Sequence, residues 1–156
     1  MCGNYASFSA ATDNILREKG APPNAAADHS ARPEGRPQEA RKIVEEALAQ
    51  NWDARLLRRY PDTTGGDALP LIQKAEGWQK DRPEDADLMF ALGRLCLHQQ
   101  LWGKAQSFLE RALKLADNET LKIRSHRALA RLHEQIGDSA KASEHYRESA
   151  LAMNIV

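Results

Sequence analysis

ADLMFALGRLCLHQQLWGKAQSFLERALKLADNE, residues 86–119, reads as two amphipathic helices separated by a short break. In the first half Leu88, Met89, Leu92, Leu95 and Cys96 fall on one helical stripe. In the second half Ala105, Phe108, Leu109, Ala112 and Leu113 do the same. The small residues are as informative as the large ones. Gly93, Ala105 and Ala112 stand at positions 8, 20 and 27 of the 34-residue window. With so little side chain there, two antiparallel helices can approach closely. Leu92, Cys96 and Leu109, at positions 7, 11 and 24, fill the space between them.

The pattern recurs. Leu129, Ala130, His133, Gly137, Ala142, Tyr146 and Ser149 take positions 7, 8, 11, 15, 20, 24 and 27 of a later window. The offset is 37 residues, which places about one extra helical turn at the joint Asn118–Lys122. Upstream, Leu71, Ala75 and Trp78 suit the second helix of a degenerate copy, with Pro83 in its closing position. This spacing resembles the tetratricopeptide repeat, which carries Leu-Gly, an aromatic, Ala, an aromatic and Ala at the same places. The resemblance implies an all-α fold: an α-solenoid of antiparallel helix pairs, about seven helices in a right-handed superhelical stack. The expected repeat domain spans 37–156, with repeats at about 52–85, 86–119 and 123–156.

The flanking segments agree with helices. Ala40, Ile43, Val44, Ala47 and Leu48 form a stripe after Pro37, whose missing N–H suits a first turn. Asp53 is placed to cap a second helix carrying Leu56, Leu57 and Tyr60, and Pro61 to stop it. Asp67 is placed to cap a third, with Pro70 in its first turn, and Gly137 to end the sixth. No segment after residue 36 alternates with period two. Residues 1–36 differ. The run GAPPNAAADHSARPEGR at 20–36 cannot bury enough surface to offset its ordering entropy. A flexible leader is expected there, with a short helix over Asp13–Lys19.

Composition narrows the function classes. A chain of 156 residues, 42% hydrophobic and 28% charged, suits one domain with a core. Lys+Arg and Asp+Glu balance at 22 each, which argues against a nucleic-acid binder. No apolar run is long enough for a membrane span, so no membrane insertion by this chain is expected. Two cysteines, Cys2 and Cys96, are too few for a disulfide scaffold.

A second resemblance is more specific. Leu92-Gly93-Arg94-Leu95-Cys96-Leu97-His98-Gln99-Gln100-Leu101-Trp102-Gly103-Lys104-Ala105 looks like the repeat domain of the HemY family. Ala75-Glu76-Gly77-Trp78 ahead of Pro83, and Asn51-Trp52-Asp53 ahead of Leu56 and Tyr60, are similar to the same family. That resemblance implies a bacterial protein associated with haem or porphyrin metabolism, cytoplasmic or inner-membrane-associated, with no established catalytic residues. No Gly-x-Gly-x-x-Gly is present to cradle a flavin dinucleotide.

The candidate site also follows from the repeat resemblance. In such repeats positions 2, 5, 9, 12 and 13 line a concave groove. Here they are Asp87, Phe90, Arg94, Leu97 and His98, then Arg124, Arg127, Arg131, Glu134 and Gln135. Arg124, Arg127 and Arg131, at i, i+3 and i+7, share one helical face. Guanidinium forks match carboxylates. Phe90, Arg94, His98, Arg124, Arg127 and Arg131 are therefore the expected partner-binding residues, for an acidic or extended peptide. The expected function is a non-catalytic protein–protein interaction scaffold, with no cofactor and no metal. The alternative is a tetrapyrrole (haem) carrier or assembly factor, with arginines on the propionates and His98 as an axial ligand.

Other residues carry weaker signals. Met1-Cys2-Gly3-Asn4-Tyr5-Ala6 resembles the start of abasic-site crosslinking peptidase-like proteins, but the folded domain a Cys2 nucleophile needs is not in the sequence. His126 and His133 lie two turns apart on one helix, not at the i, i+4 spacing of a metal pair, and read as interior residues. Trp52, Trp78 and Trp102 read as packing residues. Open solenoid ends expose helix faces, so homo-oligomers through residues 139–156 are expected to be accessible.

Overall fold

The computed structural model describes residues 35–153. The readings that concern Cys2 and residues 1–34 of the leader lie outside the described residues. Among the described residues seven α-helices follow one another: α1 (Gly35–Gln50), α2 (Ala54–Arg59), α3 (Leu69–Asp81), α4 (Ala86–His98), α5 (Trp102–Leu115), α6 (Glu119–Gln135) and α7 (Ser139–Met153). A 3-10 turn, Tyr60–Thr63, extends α2. No strand occurs among the described residues, and no helix there is long and apolar enough to cross a membrane. The fold is an all-α, tetratricopeptide-like solenoid. α4 packs along α5 and α6 along α7, α5 meets α6, and α2 and α3 both lie on α4.

Helix starts follow the expected chemistry with one shift. Asp53 caps α2 by accepting from the Arg55 N–H at 2.8 Å. Asp85 and Asn118 cap α4 and α6 by accepting from Leu88 and Leu121 N–H at 3.0 and 2.9 Å. The cap of α3 is Ala68, not Asp67, although the Asp67 carboxylate still accepts from the Leu69 N–H at 3.0 Å. α1 begins at Gly35, two residues ahead of Pro37, which stays in the first turn. α6 has 17 residues and α4 has 13. The extra turn lies at the N-terminal end of α6, beside Asn118, and it accounts for the 37-residue offset.

The core is continuous from α1 to α6. Val44, Leu48, Leu57, Tyr60, Leu71, Leu88, Leu92, Leu95, Leu109, Leu121 and Leu129 all belong to it. α4 and α5 approach closely at Gly93. A Cβ placed there would lie 2.6 Å from both Cγ and Cδ2 of Leu109. Position 8 of the repeat is small because the partner helix occupies that space. Trp78 stacks obliquely on Tyr60 and edge-on against Trp52, with ring centres 5.1 and 5.6 Å apart. The Tyr60 hydroxyl donates to Glu45 Oε1 at 2.6 Å, and Arg41 holds the same carboxylate at 2.7 Å. Burial, then the Glu45 contact, push the Tyr60 hydroxyl well above its ordinary pKa. Burial likewise pushes the Cys96 thiol up to about 11, so it packs as an inert thiol.

Both first helices of the repeats stop in the same way. In α6, Gly137 has φ 81° and the Asp138 N–H returns to His133 O at 2.8 Å. In α4 the matching residue is Gln100, φ 57°, and the Leu101 N–H returns to Cys96 O at 2.9 Å. This left-handed stop favours glycine. Gln100→Gly is therefore expected to stabilise the protein by about 0.5–1 kcal/mol. Urea unfolding checks it, and a lower midpoint would mean that the Gln100 side chain outweighs the backbone strain.

Candidate functional site

The first helices of the pairs, α2, α4 and α6, present a common face. From α2 come Arg58 and Arg59, from α4 Asp87 and Arg94, and from α6 Arg124. Arg58 Nε donates to Asp87 Oδ1 at 2.7 Å. Arg94 Nη2 donates to Asp62 Oδ1 at 2.8 Å, and its Nη1 to the Arg58 carbonyl at 3.2 Å. Arg94 thereby ties α4 to α2 and the 3-10 turn.

Arg124 faces this group without a partner of its own. Burial, followed by the charges of Arg58, Arg59 and Arg94, holds its pKa below the ordinary arginine value, while Asp87 acts in the opposite direction. Arg59 and Arg124 make no hydrogen bond or ion pair among the described residues. Four guanidiniums, Arg58, Arg59, Arg94 and Arg124, thus face two carboxylates, Asp62 and Asp87. An arginine stays protonated at neutral pH even when partly desolvated, so the face carries uncompensated positive charge. Its chemistry is that of a carboxylate or phosphate receptor.

The six residues expected at the site separate in the structure. Arg94 and Arg124 come together. His98 is exposed at the end of α4, with Nε2 3.4 Å from Thr64 Oγ1. Phe90 is 4% exposed and belongs to the core, so it offers no contact surface. Arg127 and Arg131 turn toward α7 instead. Arg127 Nη2 lies 3.0 Å from Met153 Sδ, and Arg131 sits beside Tyr146, whose hydroxyl donates to Glu134 Oε2 at 3.0 Å. Sequence reasoning missed Arg58 and Arg59. Their signal was present: a basic pair in the last turn of a helix capped by Asp53.

Two shallow hollows, about 240 and 180 Å³, lie elsewhere. One is lined by Glu134, Ser139, Ala142 and Tyr146, the other by Leu48, Trp52, Trp78 and Arg82. Neither contains the arginine face, and both fall below the roughly 300 Å³ at which small-molecule pockets begin. Among the described residues no group of three or more His, Cys, Asp or Glu side chains converges on a metal position.

Comparison with known proteins agrees with the architecture. The tetratricopeptide repeat family model matches residues 84–150. Among solved structures, MamA (residues 41 to the end) from Desulfovibrio magneticus RS-1 superposes with a TM-score of 0.54 at 20% identity. That match covers 95% of this chain and 94% of the other. A structure titled MamA MSR-1 C2 gives a TM-score of 0.48 at 16% identity, covering 96% and 88%. No curated protein matches the sequence. At 20% identity the likeness to the first of these is one of fold.

Proposed function

We propose that the chain is a non-catalytic interaction scaffold that binds an extended, acidic peptide segment of a partner protein along the α2–α4–α6 face. The observation that carries this reading is the pair Arg59 and Arg124: like charges gathered on one face, neither of them held in a hydrogen bond or ion pair among the described residues. A fold gains nothing in stability from crowding cations, whereas a receptor for carboxylates gains affinity from it. The repeat match over residues 84–150 supports the scaffold class, and arginines spread over three successive first helices suit an extended ligand.

The test uses the full chain and fluorescent peptides of matched length and graded negative charge. Arg59→Ala with Arg124→Ala should weaken binding of the acidic peptides roughly a hundredfold or more, since charge-assisted hydrogen bonds contribute about 1.5–3 kcal/mol each and two arginines are removed. Folding stability should hold or rise slightly, because like charges are relieved. Arg127→Ala with Arg131→Ala serves as the contrast and should bind nearly as the parent does. Equal affinity across all three proteins would remove the peptide site from this face. The HemY resemblance extends the reading to partners in tetrapyrrole metabolism. Its direct form, a haem carrier, predicts a Soret shift on haem titration that His98→Ala abolishes.

A further inference from the structure

α6 and α7 meet through histidines where the preceding pair meets through aliphatic side chains. Between α4 and α5 the seam is Leu92, Leu95, Cys96, Ala105, Leu109 and Ala112, all fully buried. α7 buries only Ala142 and Ser149. His133 of α6 is 2% exposed and stacks parallel to His145 of α7, with ring centres 5.4 Å apart and planes within 8°. His126, two turns earlier on α6, brings its Nδ1 to 3.1 Å from His145 Nδ1. The buried Nδ1 of His133 has no hydrogen-bond partner among the described residues.

We propose that this cluster is a proton-operated latch: His126 and His145, the latter stacked on His133, hold α7 on α6 while neutral, and protonation of both His126 and His145 releases the last helix.

The geometry explains the threshold. A hydrogen bond between two Nδ1 atoms needs one ring to donate and the other to accept. One proton leaves that arrangement intact. A second turns both nitrogens into donors facing each other at 3.1 Å. The surrounding charges come from three elements. Glu148 of α7 acts on His126; Glu144 of α7 and Glu110 of α5 act on His145. Asp138, in the turn and bridged to Lys141, feels His133. The glutamates favour protonation of His126 and His145, but burial is the larger influence at both. With the other two imidazoles adding to it at His145, both pKa values lie below the ordinary histidine range.

The sign of the effect follows by linkage. Groups with depressed pKa values bind fewer protons docked than released. Their contribution is fully present above the ordinary histidine pKa of about 6.5 and is lost as pH falls through the lower docked values. Because α7 rests on α6 at the end of the described stack and buries little apolar surface, its release leaves the core from α1 to α5 in place.

Hydrogen exchange on the full chain, expressed as protection factors to remove the intrinsic pH dependence, tests the latch. Between about pH 7.5 and about pH 5, protection in α7 should fall roughly tenfold or more, while α4 and α5 keep theirs. Loss of protection in α4 and α7 together would be global acid unfolding and would overturn the proposal. His145→Phe keeps a ring against His133 but cannot take a proton. It should flatten the response of α7, and an unchanged response would also overturn the latch. If that variant fails to fold, the imidazole ring signals of the parent decide. His126 and His145 should titrate below free histidine in the same buffer, in step with α7 exchange; titration like free histidine would count against the proposal.

Discussion

Leu92→Ala should destabilise the protein by about 3–5 kcal/mol and lower the melting temperature by about 10–25 °C. Leu92 is fully buried at position 7 of the central repeat. Its neighbour in sequence, Gly93, holds α4 in direct contact with Leu109 of α5, so the surrounding helices are already as close as backbone allows. They cannot collapse further to refill the space, and the cost should fall at the upper end of the range for such truncations. Leu101→Ala is the matched contrast. Leu101 is 37% exposed in the turn between the helices, and its truncation should cost less than about 1 kcal/mol. Thermal and urea unfolding of both variants measure the difference. A loss below about 1 kcal/mol at Leu92 would mean that the α4–α5 seam is loosely packed and that the repeat spacing does not report on it.

That seam was legible in the sequence because each of its constraints is local. Gly93, Ala105 and Ala112 are small for the reason the spacing suggests, and the same register locates Leu129 and Ala142 one repeat later. The α3 cap moved by one residue because Asp67 can reach the Leu69 N–H from just outside the helix, a choice made by loop geometry. Gln100 hid its role for a related reason. Nothing about glutamine announces a left-handed backbone, and only its alignment with Gly137 gives it away.

The site was less legible because side-chain partners are chosen between helices. Arg124, Arg127 and Arg131 share a face of α6, yet Arg124 meets α2 and α4 while the other two meet α7. Helical periodicity fixes which face a residue is on, not which neighbour a long side chain takes. Phe90 was read as lining the groove, but its large apolar side chain is held in the core. α2 is six residues long and ends at a proline-bearing turn, too short to show a stripe, so Arg58 and Arg59 gave no periodic signal. His145 is invisible as a partner of His126 and His133 until α7 folds back along α6.

Asp85→Ala should cost about 2–3 kcal/mol, more than a helix cap alone provides. One carboxylate oxygen accepts from the Leu88 N–H at 3.0 Å and caps α4; the other accepts from the Trp52 indole N–H at 2.7 Å. Trp52 in turn lies under the Arg82 guanidinium, 4.3 Å from its ring centre, and edge-on to Trp78. Asp85 thus joins the start of the central repeat to the aromatic cluster packed on the core. Removing it loses a cap worth about 1 kcal/mol, a favourable charge at a helix N-terminus and the indole's acceptor. Asp85→Asn separates these contributions. Its amide oxygen can still cap, but its NH2 group would then face the indole N–H, donor against donor, so about half the loss should remain. Trp52→Phe removes the same hydrogen bond from the other side. In a double-mutant cycle, Asp85→Ala with Trp52→Phe should show a coupling of about 1 kcal/mol. Additive losses within about 0.3 kcal/mol would mean that the cap and the aromatic cluster stand independently and that Asp85 does not join them.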